Sequence, residues 1–349
     1  MSSDTTQTGR AIRGAVIGYG GAFNMGKGHL EWMSKAGFVP TAACDLDEER
    51  LSVAKQDFPG IATYMSVDDL LSDAGVDIVV LITPHNSHAR LAVQALDAGK
   101  HVITEKPMCI TSAEATAMID AAAENDRLLT VFHNRRWDGD FQALKEAVVD
   151  RKLIGDVFAI EAGFAGYRHP GHWWRSQKEM SGGLFYDWGA HFLDWILTLL
   201  PGQKAEAVTG FSNKSVWTDV TTEDYVQAIV RFTGGVKVDL SFSQISAAPK
   251  PRWRISGTQG AIVDDGSVRD GFKLFRHIDG QVLTGELHNK RADPALLFYQ
   301  NLWAHMTAGA ELEVKATQAR RIISIIEAAE TSWHSGRSEP VPYEFEPSS

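Results

Sequence analysis

The segment Gly182-Gly183-Leu184-Phe185-Tyr186-Asp187-Trp188-Gly189-Ala190-His191, continuing to Asp194, sets a carboxylate and an imidazole four residues apart. On a helix that spacing puts both on one face. Oxidising an alcohol needs a base to take the hydroxyl proton as hydride leaves, and histidine titrates in the useful range. Asp187 could then anchor sugar hydroxyls or orient the imidazole. The same residues also suit a plainer helix, with Asp187 and Asp194 as first-turn charges and His191 as a satisfied core histidine.

A second segment, Glu105-Lys106-Pro107, follows a short strand-like run from His101 to Thr104. Ligands of open α/β sheets bind at the carboxyl ends of such strands. The proline restricts the lysine backbone and so fixes where the ammonium points. A lysine held there can hydrogen-bond a reacting oxygen; a lone lysine beside a turn would otherwise be a surface residue.

The third group lies around Gly18-Tyr19-Gly20 and continues through Gly21, Ala22, Phe23 and Asn24. Glycines where a strand meets a helix let the backbone approach a pyrophosphate, which the helix N-terminus attracts. The usual third glycine is not in its place: position 23 is Phe, and the next glycines after Gly21 are Gly26 and Gly28. The turn is therefore longer than standard, or the helix starts later. Asp45 ends the second expected strand, where an acidic side chain can bind both ribose hydroxyls and repel the extra phosphate of NADP, favouring NAD. Asp45 also stands where it could cap the helix expected at Glu48, and it could play both parts, the ribose reading being favoured by the glycines and the alternating topology beside it.

Hydrophobic period and chain breakers give the elements that must position these groups. Ala11 to Ile17 predicts a buried strand feeding a tight turn. Gly28 to Ala36 predicts a helix, Val39 to Cys44 a strand, and Glu48 to Asp57 and Val67 to Asp73 two helices. Val76 to Ile82 is nearly all β-branched or Leu, as a strand covered on both faces requires. His88 to Ala98 predicts a helix stopped by Gly99. His101 to Thr104 and Leu128 to Phe132 predict strands around a helix from Thr111 to Asn125. This alternation makes an α/β, doubly wound parallel sheet.

After Arg136 the rhythm changes. Phe141 to Arg151 predicts a helix, Val157 to Ala165 a strand, and Gly183 to Leu200 a long amphipathic helix. Ala205 to Phe211, Asp224 to Phe232, Val236 to Ser243, Trp253 to Ser256 and Phe272 to Arg276 predict successive antiparallel strands, with Gly234-Gly235 as a hairpin turn. Helices at Ala295 to Ala308 and Thr317 to Trp333 follow. The expected organisation is a disordered tail at 1–10, a nucleotide-binding domain at 11–135, an α+β substrate and oligomerisation domain at 136–294, and helices at 295–340 packing back on the first domain.

Between the two halves, His169, His172, Trp173, Trp174 and Arg175 lie just ahead of the Asp187 helix. Aromatic rings with polar neighbours suit stacking on a sugar face, and they equally suit filling a domain junction. Asn134, Arg135 and Arg136 follow the last strand of the first half and could face the same cleft or bridge the domains.

The 349 residues are 44% hydrophobic and 22% charged, a globular composition long enough for two cores. The net charge is −10 with no basic run, which argues against nucleic acid and anionic membranes as partners. Two cysteines, Cys44 and Cys109, build no disulfide framework, and no His or Cys grouping has metal spacing. Met1 to Arg10 lacks a signal-peptide core, and no apolar stretch reaches the ~20 residues of a membrane span. A soluble, cytoplasmic protein without a metal is expected.

Taken in order, the glycine turn, the acidic residue after the second strand, Glu-Lys-Pro and Gly-Gly-x-x-x-Asp-x-Gly-x-His-x-x-Asp resemble the Gfo/Idh/MocA oxidoreductases. Thr83-Pro84-His85-Asn86-Ser87-His88 and Gly99-Lys100-His101-Val102 also resemble that family, and the likeness runs from about Ile12 to Trp333. It implies a Rossmann domain followed by a domain on a large, mainly antiparallel open sheet. It implies dehydrogenases of inositol, glucose and other sugars, with Lys106, Asp187 and His191 catalytic and His191 the acid/base. NAD contacts fall to the glycine turn, Asp45, Thr83, Pro84, Asn86, His88, Glu105 and Lys106. Substrate contacts fall to Arg135, His169, Trp173, Trp174 and Arg175 beside the catalytic three. A cis Lys106-Pro107 bond and a homodimer or tetramer joined through the antiparallel sheet are also implied. Family members that recycle bound NAD to cleave a glycosidic bond or epimerise, and a non-catalytic sugar- or nucleotide-binding protein, are the competing functions.

Overall fold

In the computed structural model, which describes residues 11–20 and 24–345, two sheets carry the molecule. The tail expected at Met1 to Arg10 and the turn residues Gly21, Ala22 and Phe23 lie outside the described residues. The first half runs β1 (Arg13–Ile17), α1 (Met25–Ala36), β2 (Val39–Cys44), α2 (Glu48–Asp57), β3 (Ala62–Tyr64), α3 (Val67–Ser72), β4 (Ile78–Leu81), α4 (His88–Asp97), β5 (His101–Thr104), α5 (Ser112–Glu124) and β6 (Leu129–Val131). Its strands pair in parallel in the order β3-β2-β1-β4-β5-β6. The order reverses between β1 and β4, and that is where ligands of such sheets bind. β4 is buried at every residue, as its unbroken apolar run requires.

The second half runs α6 (Gly139–Lys145), β7 (Val157–Ala165), α7 (Lys178–Ser181), α8 (Ala190–Leu199), β8 (Ala205–Asn213), β9 (Tyr225–Phe232), β10 (Lys237–Ser243), β11 (Trp253–Gly257), β12 (Gly260–Asp264), β13 (Gly271–Ile278), β14 (Gln281–His288), α9 (Pro294–Ala308), α10 (Ala316–Ser335) and β15 (Glu339–Pro340). Nine strands form one sheet in the order β14-β13-β12-β11-β7-β10-β9-β8-β15. It is antiparallel except where β7 and β10 lie parallel, Lys237 opposite Ala159 through Ser243 opposite Ala165.

Several elements differ from their sequence expectation. β12 and β14 were not anticipated: β12 is five residues long, and β14 is an edge strand exposed at nearly every position, so it shows no buried face to read. The helix expected from Gly183 to Leu200 is instead a π turn, Phe185–Gly189, running into α8, which is buried at eight of its ten residues rather than amphipathic. A helix apolar all round is a core helix. Phe192 of α8 meets Phe242 and Trp253 of the sheet at 5.2 Å between ring centroids. α1 begins at Met25, ahead of the expected Gly28.

The closing helices join the halves. α9 packs on α1, with Tyr299 beside His29 and Trp303 beside Phe38. α10 lies against α5 on one side and against β8 and α8 on the other. Among the described residues no helix is long and apolar enough to cross a membrane.

Candidate active site

The cradle at the carboxyl ends of β1 and β2 is built from backbone. Gly18 has φ +103°, and a Cβ there would meet the Ile82 carbonyl oxygen at 2.5 Å, so only glycine lets the chain turn this close to the strand end. A Cβ on Gly26 would stand 2.8 Å from the Gly18 oxygen and 2.9 Å from Tyr19 Cα. Gly26 thus performs the packing task of the third glycine of a dinucleotide turn, from a later position than usual. Asn24, in the left-handed conformation, precedes α1.

Asp45 accepts the Tyr19 N–H at 2.7 Å on one oxygen and the Asp47 N–H at 3.0 Å on the other. The cap of α2 is Asp47, not Asp45. Asp45 is therefore free of the capping role and borders the turn, where lone pairs remain for ribose hydroxyls. The Tyr19 ring is buried, its hydroxyl donating to Asp57 at 2.9 Å, so this residue adds backbone rather than side chain to the cradle. A close-approach glycine pair and a carboxylate at the end of β2 fit a dinucleotide.

Thr83 and Pro84 follow β4, and Asn86 is exposed just beyond. His88, expected among the cofactor contacts, is fully buried, with one ring nitrogen 2.9 Å from the Thr83 oxygen and the other 2.9 Å from the Pro107 oxygen. Burial lowers its pKa, so the neutral ring donates to one of these two carbonyls, and both nitrogens face main-chain oxygens of the loops after β4 and β5 rather than a ligand.

Glu105 acts through its neighbour. One oxygen accepts the Lys106 N–H at 3.1 Å, and the other lies 3.0 Å from Nε2 of His29. Nδ1 of His29 lies 2.6 Å from the Tyr299 hydroxyl. A carboxylate can only accept, so Nε2 carries the proton toward Glu105 and Nδ1 accepts from tyrosine. Burial alone would raise the Glu105 carboxyl, but the His29 hydrogen bond and the nearby Lys106 ammonium bring it below its ordinary value. This buried line from α9 to the Lys106 backbone had no sequence signal, because its members are 76 and 270 residues apart.

The Lys106-Pro107 bond is cis, as the resemblance implied. Lys106 Nζ donates to Oδ1 of Asp187 at 2.7 Å and to its backbone oxygen at 2.9 Å, and Arg175 donates to the same Oδ1 at 3.1 Å. Burial would raise the Asp187 carboxyl, but the Lys106 ammonium and the Arg175 guanidinium hold it well below the usual carboxylate range. It is a carboxylate at every working pH.

The Gly182-Gly183 pair has a local reason. Both residues have positive φ, and a Cβ on Gly183 would meet Glu223 Oε2 at 2.4 Å. That oxygen accepts the Leu184 N–H at 3.1 Å and so caps the segment carrying Asp187 and His191. Asp187 sits in the π turn, a geometry that recurs at functional sites. Asp194 does not face the cleft. It pairs with Arg136 through three contacts of 2.6, 2.9 and 3.0 Å, and the Trp195 indole donates to the Arg135 oxygen at 2.9 Å. The loop after β6 thereby fixes α8.

His191 is 6% exposed, and its Nδ1 has no partner among the described residues. Burial, then the positive charge of Lys106 and Arg135, pushes it well below its ordinary value, so the ring is neutral and able to accept a proton. His85 shares this corner. Its Nδ1 donates to the Ser181 oxygen at 2.8 Å, and its ring meets the Trp174 edge at 4.8 Å.

A cleft of about 900 Å³ opens beside these groups. Of the residues expected from sequence, Arg135, His169, Trp173, Arg175 and Asp187 line it. Trp174 turns instead onto His85, filling the junction between the halves, and Lys106 and His191 are not among the residues that line the cleft, although Lys106 reaches the lining residue Asp187. Gly163, Arg168, Gln244, Lys250 and Arg252 also line the cleft and were not anticipated, because strand edges far apart in sequence supply them. Among the described residues one group, His169, His172 and Asp219, has metal-ligand spacing. Nδ1 of His169 accepts the Gly171 N–H at 2.9 Å, so its neutral ring carries the proton on Nε2, facing Asp219 as a donor rather than a ligand.

Residues 12–133 match the model of an oxidoreductase family described as an NAD-binding Rossmann fold, and residues 141–263 match the GFO/IDH/MocA C-terminal domain. Each match falls on one of the two halves, and the chain belongs to the Gfo/Idh/MocA oxidoreductases. Among its relatives, the uncharacterized oxidoreductase YdgJ of Escherichia coli is 29% identical over 344 residues, 90% of this chain and 94% of that protein. The scyllo-inositol 2-dehydrogenase (NADP(+)) IolW of Bacillus subtilis is 27% identical over 302 residues, 80% of this chain and 83% of that one. The crystal structure of an NAD-binding protein from Listeria innocua superposes with TM-score 0.82 at 28% identity, covering 96% of this chain and 98% of that one.

Proposed function

We propose that this oxidoreductase is an NAD-linked dehydrogenase that acts on a hydroxyl carbon of a sugar, cyclitol or polyol. The observation that supports this reading is the Lys106–Asp187 pair at the carboxyl end of the parallel sheet, with the buried His191 close enough to feel the Lys106 charge, and a cleft of substrate size that Asp187 lines. The name of the relative IolW supports a cyclitol among the candidate substrates, and Asp45 supports NAD over NADP.

Bound NAD supplies a nicotinamide that takes or returns a hydride. The rest falls to the chain. His191 takes the hydroxyl proton as the neighbouring C–H electron pair leaves, and returns it in reduction. The Lys106 ammonium steadies charge building on the reacting oxygen, as a fixed dipole in a dry site does best. Asp187 holds the ammonium in place and accepts a hydrogen bond from an adjacent hydroxyl. Trp173 offers a flat face to the ring.

The test is addition of NAD or NADP with a panel of cyclitols, aldoses and polyols, followed by reduced-cofactor absorbance. Steady accumulation of NADH supports the reading. Substrate conversion with no NADH released would replace it with a mechanism that recycles the cofactor.

A further inference from the structure

The wall of the cleft carries Arg135, Arg168, Arg175, Lys250 and Arg252, and Asp187 is its one carboxylate. A chain with 44 acidic and 34 basic residues has gathered five cations on one surface. None of the lining residues precedes Arg135, so these cations do not serve the cofactor's phosphates, whose cradle lies after β1.

Their pairing is incomplete. Arg175 shares the single carboxylate of Asp187 with Lys106. Arg252 has Asp140 at 2.6 Å, but Arg135 reaches Asp138 only at 3.5 Å. The Lys250 ammonium donates to neutral oxygens, Ser241 Oγ at 2.7 Å and the Ala162 carbonyl at 3.4 Å. Arg168 is exposed and makes no ion pair among the described residues. Burial lowers the Lys250 ammonium, and the charges of Asp239 and Glu161 offset only part of that effect. Neutral sugars need hydrogen bonds at such positions, and amide or hydroxyl side chains provide them without gathering positive charge.

We infer that the substrate is a hydroxylated ring or chain bearing an oxyanion group, a carboxylate or a phosphate, held by Arg168, Lys250 and Arg135 away from the carbon that is oxidised. A guanidinium binds either group through paired N–H donors, and the ammonium adds a point charge. This rests on the dehydrogenase reading above and narrows its substrate class.

The test compares matched probes on the NAD-loaded protein: glucose with glucuronate, gluconate and glucose 6-phosphate, and myo-inositol with its monophosphate. The expected result is kcat/KM at least tenfold higher for an oxyanion member than for its neutral counterpart, with the advantage shrinking as NaCl is raised. Arg168→Gln and Lys250→Met should each lower kcat/KM for the anionic probe about tenfold and for the neutral one less than twofold. The carboxylate and phosphate arms show which group is preferred. Higher turnover of the neutral members, or variants that slow both alike, would overturn the inference and leave the dehydrogenase reading standing. If no probe yields NADH, the dehydrogenase reading fails, and calorimetric titration of the same pairs decides the inference alone: equal or absent binding of the two members overturns it.

Discussion

Lys106 Nζ stands 2.7 Å from Oδ1 of Asp187, across 81 residues of sequence and from the opposite half of the molecule. The contact joins the loop after β5 to the π turn before α8, so the site exists only when the two halves are docked.

Lys106→Met should therefore separate chemistry from binding. It removes the ammonium while keeping the length of the side chain, and Arg175 still compensates Asp187. We expect kcat to fall by roughly 10²–10³, the cost of one charge-stabilising donor, while NADH affinity, read by fluorescence titration, stays within about threefold. Equal kcat in mutant and wild type would remove Lys106 from the chemistry.

His191 carries its own pH signature. Its imidazole is neutral well below pH 6.5, so the acid limb of kcat/KM for alcohol oxidation should lie below that value, with no further gain from this group as pH rises past it. His191→Asn should erase the limb and slow turnover by about 10²–10⁴. An acid limb centred at or above pH 7 that persists in the variant assigns the base elsewhere.

Stability should weaken as pH falls. Burial pushes His133 down to about 4 and lowers His85, His88, His101 and His191 as well. Between pH 6.5 and 4 the unfolded chain binds protons that the folded one refuses, so the contribution is complete above 6.5 and lost on descent through that window. His133 alone accounts for about 3 kcal/mol. Asp138, pushed up to about 6 by burial, takes a proton in the folded state and offsets part of the loss. Urea midpoints at pH 7, 6 and 5 measure the slope, and His133→Gln should flatten it.

Arg136 and Asp194 form a pair whose side chains are 11% and 3% exposed. Arg136→Met leaves the Asp194 carboxylate buried without its partner and should cost about 3–5 kcal/mol. Adding Asp194→Leu should recover much of the loss. A single variant as stable as wild type would show that another contact holds α8 in place.

Asp45 decides the cofactor on the proposed reading. Asp45→Ser removes the charge that would repel a 2′-phosphate, and the ratio of kcat/KM for NAD over NADP should fall at least about tenfold, a difference of ~1.4 kcal/mol. An unchanged ratio places the selectivity in another residue.

The sequence alone determined which residues could do chemistry and on which kind of scaffold. Alternation of apolar runs and helical periods dictated the parallel sheet, because a strand buried on both faces cannot afford polar residues. Glu105-Lys106-Pro107 and the Gly182–His191 segment were legible because each is a local motif whose proline or glycines serve the backbone of that same segment. Tertiary structure decided what those motifs touch. Gly26 as the third glycine, His88 as a loop fastener, the Tyr299–His29–Glu105 line and the cationic wall with Arg168 and Lys250 depend on segments brought together by sheet order and helix docking. Contact between residues distant in sequence leaves no periodic trace, and an exposed edge strand such as β14 buries no face to leave one. That is the physical limit of reading the chain in one dimension.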